Sequence, residues 1–297
     1  MAKTASSIAI NRLLSSAGRR IHRLGLRRTF AGACAPPRQR VGLPVLRRQV
    51  LAGWCLFYAV AGFAAEALSP PVPLDPAALV EAADRIRFPK EAFQVSINVK
   101  NFSVGKVPDE RLYQVLSKGN ANTIVRSLKP ASEAGQMMLM KERDLWVFLP
   151  SVAQPVRMPL SQKLTGQVAN GDLARANLSG DYHAKLLRTE VLGQIQYAVM
   201  ELSAVDRGVT YQRVVYWVEM NTQRPWKAEF YTISGRLLKI CRYTDFKLMD
   251  GEIRPTRLIM QDALKPDEHS EMVYGGMTRR ALPDKLFTKD YLKKLQN

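Results

Sequence analysis

The sequence predicts a mainly β fold of the α+β class, in which one large antiparallel sheet curls into an unclosed half-barrel. Apolar and polar residues alternate with a period of two from residue 92 onward, as between Phe93 and Lys100, which is typical of half-buried strands. Eleven such runs are separated mostly by short turns rich in Gly, Asn and Asp, which favours a meander. A sheet of this size curls strongly, and an N-terminal helix and a helical or irregular insert can cover its concave side.

The first 67 residues are predicted to be a leader that takes no part in the fold. The chain has 297 residues and a net charge of +18, yet residues 1–65 contain 11 Lys and Arg and no Asp or Glu. Two arginines precede an uncharged apolar run at 50–65, and Ala65-Glu66-Ala67 gives the small-x-small pattern that a signal peptidase cleaves. This arrangement predicts a signal peptide cleaved near Ala67, with cleavage after Ala64 and an uncleaved membrane anchor as alternatives.

Residues 1–40 are unusual for a bacterial signal, because they are rich in Arg, Ser and Ala and lack acids. A start codon assigned too far upstream explains them most simply, and mitochondrial import is the alternative. Residues 68–74 form a Pro-rich spacer, and 75–297 are predicted to form the folded domain. Residues 66–297 carry 33 basic and 26 acidic groups, so the body of the protein has a net charge of only +7.

The domain is predicted to begin with a helix of about three turns. Asp75 is a suitable N-cap and Pro76 suits the first helical position. Apolar residues from Leu79 to Ile86 recur at helical spacing, and Pro89 prevents further extension.

The strand-like runs form two groups on either side of an insert. They cover 93–99, 111–116, 123–128, 136–141, 145–149, 197–205, 211–220, 226–233, 237–246, 256–263 and 271–277. Residues 150–194 are punctuated by Pro and Gly and lack a clean strand period, so they are predicted to form a lid with short helices at 172–176 and 181–189. A short helix at 287–295 is predicted to close the chain.

No catalytic, metal or cofactor site is predicted. After the leader, His183 and His269 are the only histidines and Cys241 is the only cysteine, and no nucleophile elbow, phosphate-binding loop or zinc spacing occurs. A single thiol also excludes an intrachain disulfide in the body. Basic and aromatic residues between 213 and 236 alternate with Glu219 and Glu229, which favours a solvated strand face over nucleic-acid binding. A mildly basic exported body suits anionic lipid head groups better.

Several segments resemble the outer-membrane lipoprotein-sorting family, which has the LolA-like fold. The stretches that carry the resemblance are MMLMKERDLWVFLPS at 137–151, PVRMPL at 155–160, NGDL at 170–173, WKAEFY at 226–231, GRLLK at 235–239, GEIRPT at 251–256 and LPDKLFT at 282–288. Together they cover about residues 75–295. The resemblance implies a periplasmic, unclosed antiparallel barrel with helices as a lid over an apolar cavity, and a non-enzymatic carrier of acyl chains.

Strand parity gives the residues predicted to line this cavity, although a filled core is the alternative for each of them. They are Met138, Met140, Trp146, Phe148, Val214, Tyr216, Val218, Trp226, Phe230, Leu258 and Met260. The predicted ligand is a lipid or the acyl chains of a lipoprotein, bound by a monomer. Candidate protein partners are an inner-membrane exporter and an outer-membrane acceptor. The alternative function is a periplasmic sensor or adaptor subunit of an exporter.

Overall fold

The computed structural model describes residues 74–119, 121–175 and 177–296. The predicted leader and its cleavage site, and the spacer up to residue 73, lie outside these residues. No helix of the described region is long and apolar enough to cross a membrane. The described residues belong to one compact unit, which spans Leu68–Asn297.

Fifteen strands and three helices follow one another in the described region. The strands are β1 Phe93–Phe102, β2 Asp109–Lys118, β3 Asn122–Lys129, β4 Met137–Lys141, β5 Asp144–Phe148, β6 Val156–Met158, β7 Lys163–Thr165, β8 Val168–Ala169, β9 Tyr182–Leu192, β10 Ile195–Ala204, β11 Arg213–Glu219, β12 Pro225–Tyr231, β13 Leu237–Met249, β14 Glu252–Asp262 and β15 His269–Arg279. The helices are α1 Pro76–Arg87, α2 Asn170–Ala174 and α3 Lys289–Gln296.

Thirteen of these strands form one antiparallel sheet, in the order β6-β5-β4-β3-β2-β1-β15-β14-β13-β12-β11-β10-β9. The first and last strands of the described region therefore pair in the middle of the sheet, where Phe93 faces Arg279 and Phe102 faces His269. The outermost strands, β6 and β9, do not pair with each other, so the sheet stays open. The predicted fold class, a large antiparallel sheet that does not close into a barrel, is confirmed.

Helix α1 begins where the sequence predicts and lies on one face of the sheet. The Asp75 carboxylate accepts a hydrogen bond from the Ala77 amide at 2.9 Å, which satisfies a donor at the helix start. Leu79, Val80 and Ala83 are buried against the sheet. Each fully buried Leu or Val contributes about 1.5–3 kcal/mol. The helix contacts β9, β11 and β14, and we call the face that it covers the inner face.

Alternation within the strands sends two sets of apolar side chains to opposite faces. On the inner face they join α1 and α2 in the main core. On the outer face the C-terminal segment packs a second core, in which Leu282, Phe287 and Leu292 cover Met137 and Leu139. A third, smaller cluster on the outer face surrounds Val199 and Trp217. Apolar residues on both faces of β4 are thus explained by cover on both sides.

The helix predicted at 181–189 is wrong, because this segment is the edge strand β9, Tyr182–Leu192. Ala, Lys, Leu, Arg and Glu are good helix formers, and their propensity produced the error. Pairing with β10 overrides it, since Ala184 and Leu186 turn inward while His183 and Lys185 are exposed. The other insert helix is one turn at Asn170–Ala174, and the rest of the insert adds β6, β7 and β8.

Candidate functional site

The inner face holds most of the residues predicted to line a cavity, but not all of them. Those in the inner-face core are Met138, Met140, Val214, Tyr216, Val218, Phe230, Leu258 and Met260. Trp146 and Phe148 belong instead to the outer-face core under the C-terminal segment, and Trp226 packs beside the third cluster. The parity assignment is therefore wrong for these three residues.

The error at Trp146 and Phe148 is one of register. Met138 faces Val147 across the β4–β5 pair, whereas Met137 faces Phe148. Side chains directly opposite each other point to the same face. Val147 therefore shares the inner face with Met138. Trp146 lies outside, where the Lys289 ammonium is 3.9 Å from the centre of its ring.

A β-bulge causes the error at Trp226. Trp217 faces Lys227, but the next residue, Val218, faces Pro225, so one residue of β12 is inserted here. Ala228 and Phe230 point to the inner face, and strict alternation would send Trp226 to the same face. The extra residue reverses this alternation. Trp226 consequently reaches the outer face, where its ring centre is 5.0 Å from that of Tyr197.

The centre of the inner face is filled by side chains and holds two buried polar clusters. The first joins α1 to the rest of the domain. The Asp84 carboxylate accepts hydrogen bonds from the amides of Leu178 (2.8 Å) and Ser179 (2.6 Å), and Arg87 lies 3.4 Å away. Burial raises the pKa of Asp84 to about 6, although Arg87 and the two amides oppose this shift. This network fixes the loop before β9 against α1.

Arg254 also fixes this C-terminal end of the helix. Its guanidinium is fully buried and donates to the carbonyls of Arg85 (2.7 Å) and Ile86 (3.1 Å), in the last turn of α1. These carbonyls lack partners within the helix and carry the negative end of its dipole, so a cation here is favourable. Helix α1 is thus held by charged groups as well as by apolar contact.

The second cluster holds α2. The Lys239 ammonium lies 2.7 Å from the Asp172 carboxylate and 2.6 Å from the Gln167 carbonyl, and both charged side chains are buried. Asp172 also accepts from the Tyr211 hydroxyl and from the Ala169 amide at the start of α2. The third contact of the Lys239 ammonium is the Met260 sulfur at 3.5 Å, so the buried cation is paired and hydrogen-bonded, as such groups must be.

An apolar cavity lies between the β2–β6 part of the inner face and the insert. It has a volume of about 290 Å³ and we call it the edge cavity. Its lining is Tyr113, Val125, Ser127, Glu133, Gln136, Met138, Val147, Leu149, Val156, Met158, Gln162, Lys163, Leu164 and Asn170. Ligand sites have volumes of about 300–1,000 Å³, so this cavity is at the lower limit. Met138 is the only one of the predicted cavity residues that lines the edge cavity.

The wall of the edge cavity includes two buried hydroxyls that donate to no described residue, those of Tyr113 and Ser127. Burial raises the pKa of Tyr113 to about 12, so its phenol stays protonated near neutral pH. A buried hydroxyl without a partner costs free energy unless a bound group accepts from it. The cavity thus combines mainly apolar walls with two donors suited to a carbonyl or ester oxygen, and Glu133, Gln136, Gln162, Lys163 and Asn170 add polar groups to its lining.

A second cavity, of about 280 Å³, lies on the other side of the β7–β8 hairpin, and we call it the rim cavity. Its lining is Ser161, Lys163, Gln167, Val168, Ala169, Tyr211, Arg236, Leu237, Leu238, Lys239, Asp262 and Leu264. Lys163 lines both cavities, so the hairpin stands between them.

Gly166 lets the β7–β8 hairpin reach the sheet. Its φ is +50°, and a Cβ atom there would overlap the side chains of Asn101 and Ser270. Those side chains hold the hairpin, since Asn101 donates to Thr165 at 2.7 Å and Ser270 accepts from the Gln167 amide at 2.8 Å. The hairpin therefore depends on the absence of a side chain at this position.

Gly166→Ala is expected to lower the free energy of unfolding by about 3 kcal/mol, because backbone strain and a lost polar contact add. Gly105→Ala is the control, since Gly105 also has a positive φ (+70°) but nothing within 4 Å of its Cβ position. That change is expected to cost about 1 kcal/mol, from the left-handed conformation alone. Urea unfolding of both variants measures the difference, and equal losses would contradict this account of the hairpin.

The remaining reactive side chains do not form a chemical centre within the described residues. Burial raises the pKa of the Cys241 thiol to about 12, so it stays protonated and is a poor nucleophile. His269 stacks on Phe102, with ring centres 4.5 Å apart, and His183 lies on strand β9. No group of three or more His, Cys, Asp or Glu side chains in these residues is arranged to hold a metal ion.

Sequence reasoning missed most of the edge cavity. Val147 is not among the residues predicted to line a cavity, and Val156, Met158 and Leu164 fall in an insert that shows no strand period. The pairing of Met138 with Val147 sets the face of every side chain in the short strand β5, and the local sequence pattern does not show this pairing.

Comparisons with known proteins agree with this architecture. A family model described as an uncharacterized protein matches residues 119–294. No curated protein matches the chain. A crystal structure of a LolA superfamily protein from Nitrosomonas europaea has 56% sequence identity and a TM-score of 0.71, and the match covers 73% of this chain and 99% of that chain.

Two more distant structures share the fold. A putative outer membrane lipoprotein-sorting protein domain from Vibrio parahaemolyticus has 19% identity and a TM-score of 0.64, over 73% of this chain and 98% of that chain. A DUF1329 family protein from Desulfovibrio piger has 18% identity and a TM-score of 0.64, over 74% of this chain and 100% of that chain.

Proposed function

Because the chain belongs to the LolA superfamily, we propose that it is a periplasmic carrier that binds acyl chains of a lipid or lipoprotein in the edge cavity. The observation that carries this proposal is a mainly apolar cavity of about 290 Å³ on the inner face, with two hydroxyls in its wall that donate to no described residue. The signal-peptide pattern supports export to the periplasm. The carrier is a monomer in this proposal, and it catalyses no reaction.

The physical need for such a cavity follows from the hydrophobic effect. Each methylene group of an acyl chain that leaves water gains about 0.8 kcal/mol, so a chain crosses an aqueous compartment only inside a dry site. The walls of the edge cavity that come from Val125, Met138, Val147 and Met158 provide apolar contact of this kind. The hydroxyls of Tyr113 and Ser127 are placed to donate to the ester or amide oxygens next to a chain.

The cavity as it stands accommodates a short segment of a chain, and the neighbouring elements offer a way to enlarge it. The β7–β8 hairpin is the partition between the edge cavity and the rim cavity. A shift of this hairpin joins two spaces of similar volume into one groove, and its return reduces the space again. Release to an acceptor then follows from movement of a small element, without unfolding of the sheet.

Val147→Phe is expected to weaken the binding of a fluorescent polyene fatty acid about tenfold. The larger side chain excludes roughly two methylene groups from the edge cavity, and each contributes about 0.8 kcal/mol. Val273→Phe is the matched control, because Val273 is 40% exposed on the outer face of β15 between two inward residues. Fluorescence titration gives both affinities, and unfolding curves establish that both variants are folded.

Native mass spectrometry of the purified protein identifies the natural ligand. A co-purifying lipid or acylated peptide that Val147→Phe removes and Val273→Phe retains supports the carrier. Absence of lipid, together with a stoichiometric membrane-protein partner in detergent extracts, would overturn it in favour of an exporter adaptor. Equal affinities of the two variants for the fatty acid would reject the edge cavity as the site.

A further inference from the structure

Three neighbouring hairpins carry strongly exposed aliphatic side chains at one end of the sheet. The turns between β1 and β2, β14 and β15, and β12 and β13 are adjacent, because these six strands follow one another in the sheet. We call residues 103–108, 232–236 and 263–268 the hairpin rim. The exposed fractions of its aliphatic residues are 75% for Val104, 90% for Val107, 76% for Ile233 and 68% for Leu264. Single exposed aliphatic residues are common, but a group at one edge indicates an interaction surface.

The turns of the hairpin rim hold these side chains outward by their own hydrogen bonds. The Thr232 amide donates to the Arg236 carbonyl at 2.9 Å, which closes the turn around Ile233. The Asp262 carboxylate accepts from the amides of Leu264 (2.8 Å) and Lys265 (3.0 Å). Defined turns make the exposure of these residues a property of the fold, so that their apolar surface is presented at no further ordering cost.

Each turn of the hairpin rim also contributes a cation, namely Lys106, Arg236 and Lys265. Lys265 is paired with Glu268 at 3.1 Å, whereas Lys106 and Arg236 take part in no ion pair with any described residue. Asp267 is the other acid of the rim, so the three cations and two acids give the rim a net charge of +1. Lys163, at the start of β7, is likewise unpaired among the described residues and lines the rim cavity. The combination of outward aliphatic tips and free cations matches the interface of an anionic bilayer, where chains lie beneath phosphate groups.

The hairpin rim is continuous with the mouth of the rim cavity. Arg236 and Leu264 belong to both, and Leu237 continues from the rim into the cavity lining. From these contacts we infer that the hairpin rim docks this protein on the surface of an anionic lipid bilayer. Docking in this orientation places the rim cavity against the lipid surface. The inference goes beyond the carrier function and does not depend on which ligand the edge cavity holds.

The shape of the hairpin rim favours a bilayer over a rigid protein partner. Neighbouring tips are two strands apart, or about 10 Å, and each projects separately. A protein would need a matching pocket for each tip, whereas lipid head groups move aside for all of them. The body of the protein, at +7 for residues 66–297, adds a longer-range attraction to anionic lipid that salt weakens.

The test is sedimentation with protein-free vesicles of phosphatidylcholine, with and without phosphatidylglycerol. The protein is the compact unit Leu68–Asn297, which omits the apolar leader. The Nitrosomonas europaea relative, 99% of which aligns within 73% of this chain, folds as such a unit. The unit is expected to bind vesicles that contain phosphatidylglycerol, and Val107→Asp and Ile233→Asp are each expected to lower the partition coefficient at least tenfold. The double variant Lys106→Gln, Arg236→Gln is expected to lower the partition coefficient severalfold on vesicles that contain phosphatidylglycerol. On vesicles of phosphatidylcholine alone it is expected to change nothing.

Leu248→Asp is the matched control, because Leu248 is 72% exposed beside the β13–β14 turn, at the opposite end of the sheet. This variant is expected to bind as the unaltered unit does. The inference is overturned if the unit does not bind anionic vesicles, or if Leu248→Asp loses as much binding as Ile233→Asp. It is also overturned if the unit sediments only with membranes that contain protein. Val107, Ile233 and Leu248 are at least two-thirds exposed, and Lys106 and Arg236 are also exposed. Unfolding is therefore not expected to explain a loss, and circular dichroism checks this.

Discussion

Replacing Asp84 with alanine is expected to lower the free energy of unfolding by about 3–5 kcal/mol, as when one partner of a buried ion pair is removed. The change leaves Arg87 buried without its carboxylate and deprives the amides of Leu178 and Ser179 of their acceptor. The loss falls on the contact that fixes the loop before β9 to α1. Guanidinium unfolding of the unit Leu68–Asn297 measures it.

Glu81→Ala is the matched control for this prediction. Glu81 is one turn earlier on the same helix and also pairs with basic residues, Arg85 and Lys90, but its side chain is 46% exposed. Exposed pairs contribute at most about 1 kcal/mol, so this variant is expected to unfold close to the unaltered protein. Similar losses in Asp84→Ala and Glu81→Ala would show that the buried Asp84 network contributes no more to the free energy of unfolding than an exposed ion pair.

The raised pKa of Asp84 adds a pH signature to the same experiment. Burial raises this pKa to about 6, so the folded protein holds the proton more tightly than the unfolded chain, whose value is near 3.8. The contribution of this group to stability is therefore complete below about pH 4 and is lost as the pH rises through 6. Asp84→Asn removes the titrating group, and its free energy of unfolding is expected to lack this decline.

Replacing Lys239 with methionine is expected to cost about 3–5 kcal/mol for the same physical reason. The Asp172 carboxylate then stays buried with the Tyr211 hydroxyl and the Ala169 amide as donors but without a counter-charge. Because this carboxylate accepts from the Ala169 amide and so caps the start of α2, the variant is also expected to speed hydrogen exchange in residues 170–174. Chemical unfolding and exchange mass spectrometry measure the two effects.

A double-mutant cycle separates the pair from its surroundings. Adding Asp172→Asn to Lys239→Met removes the uncompensated charge, so the double variant is expected to regain part of the lost stability. Lys118→Met is the control, because Lys118 pairs with Asp284 at 2.6 Å but is 39% exposed; a loss of less than about 1 kcal/mol is expected. Additive losses in the cycle would contradict direct coupling between Lys239 and Asp172.

The sequence was sufficient for most of the sheet because period-two alternation is a local property of the chain. Strand β1 illustrates this, since Val95, Ile97 and Val99 alternate with Gln94, Ser96 and Asn98 in sequence and in burial. Helix α1 was equally predictable, because its cap and its terminating proline are adjacent to it. Segment 182–192 was not, since its helix-forming residues are overridden by pairing with β10, a contact made later in the chain.

The candidate site was less predictable than the fold, and the reason is geometric. A single inserted residue at Trp226 and a one-residue shift at Trp146 exchange the two faces of a strand, and both depend on partners that the local pattern does not show. The edge cavity also requires residues of the insert, such as Met158 and Leu164, to fold back beside Val147. Long-range packing of this kind leaves no periodic signal in the sequence.

The pairing of β1 with β15 has a consequence for the order of folding. Each meander consists of neighbours in sequence, so its hairpins form from local contacts. The seam that unites them joins Phe93 to Arg279 and requires that the whole intervening chain be present. When all but the last strand has left the ribosome or translocase, the chain therefore contains two separate sheets with exposed edges. Until β15 arrives, β1 offers an unpaired edge to any passing strand, so this is the stage at which the protein most needs a chaperone.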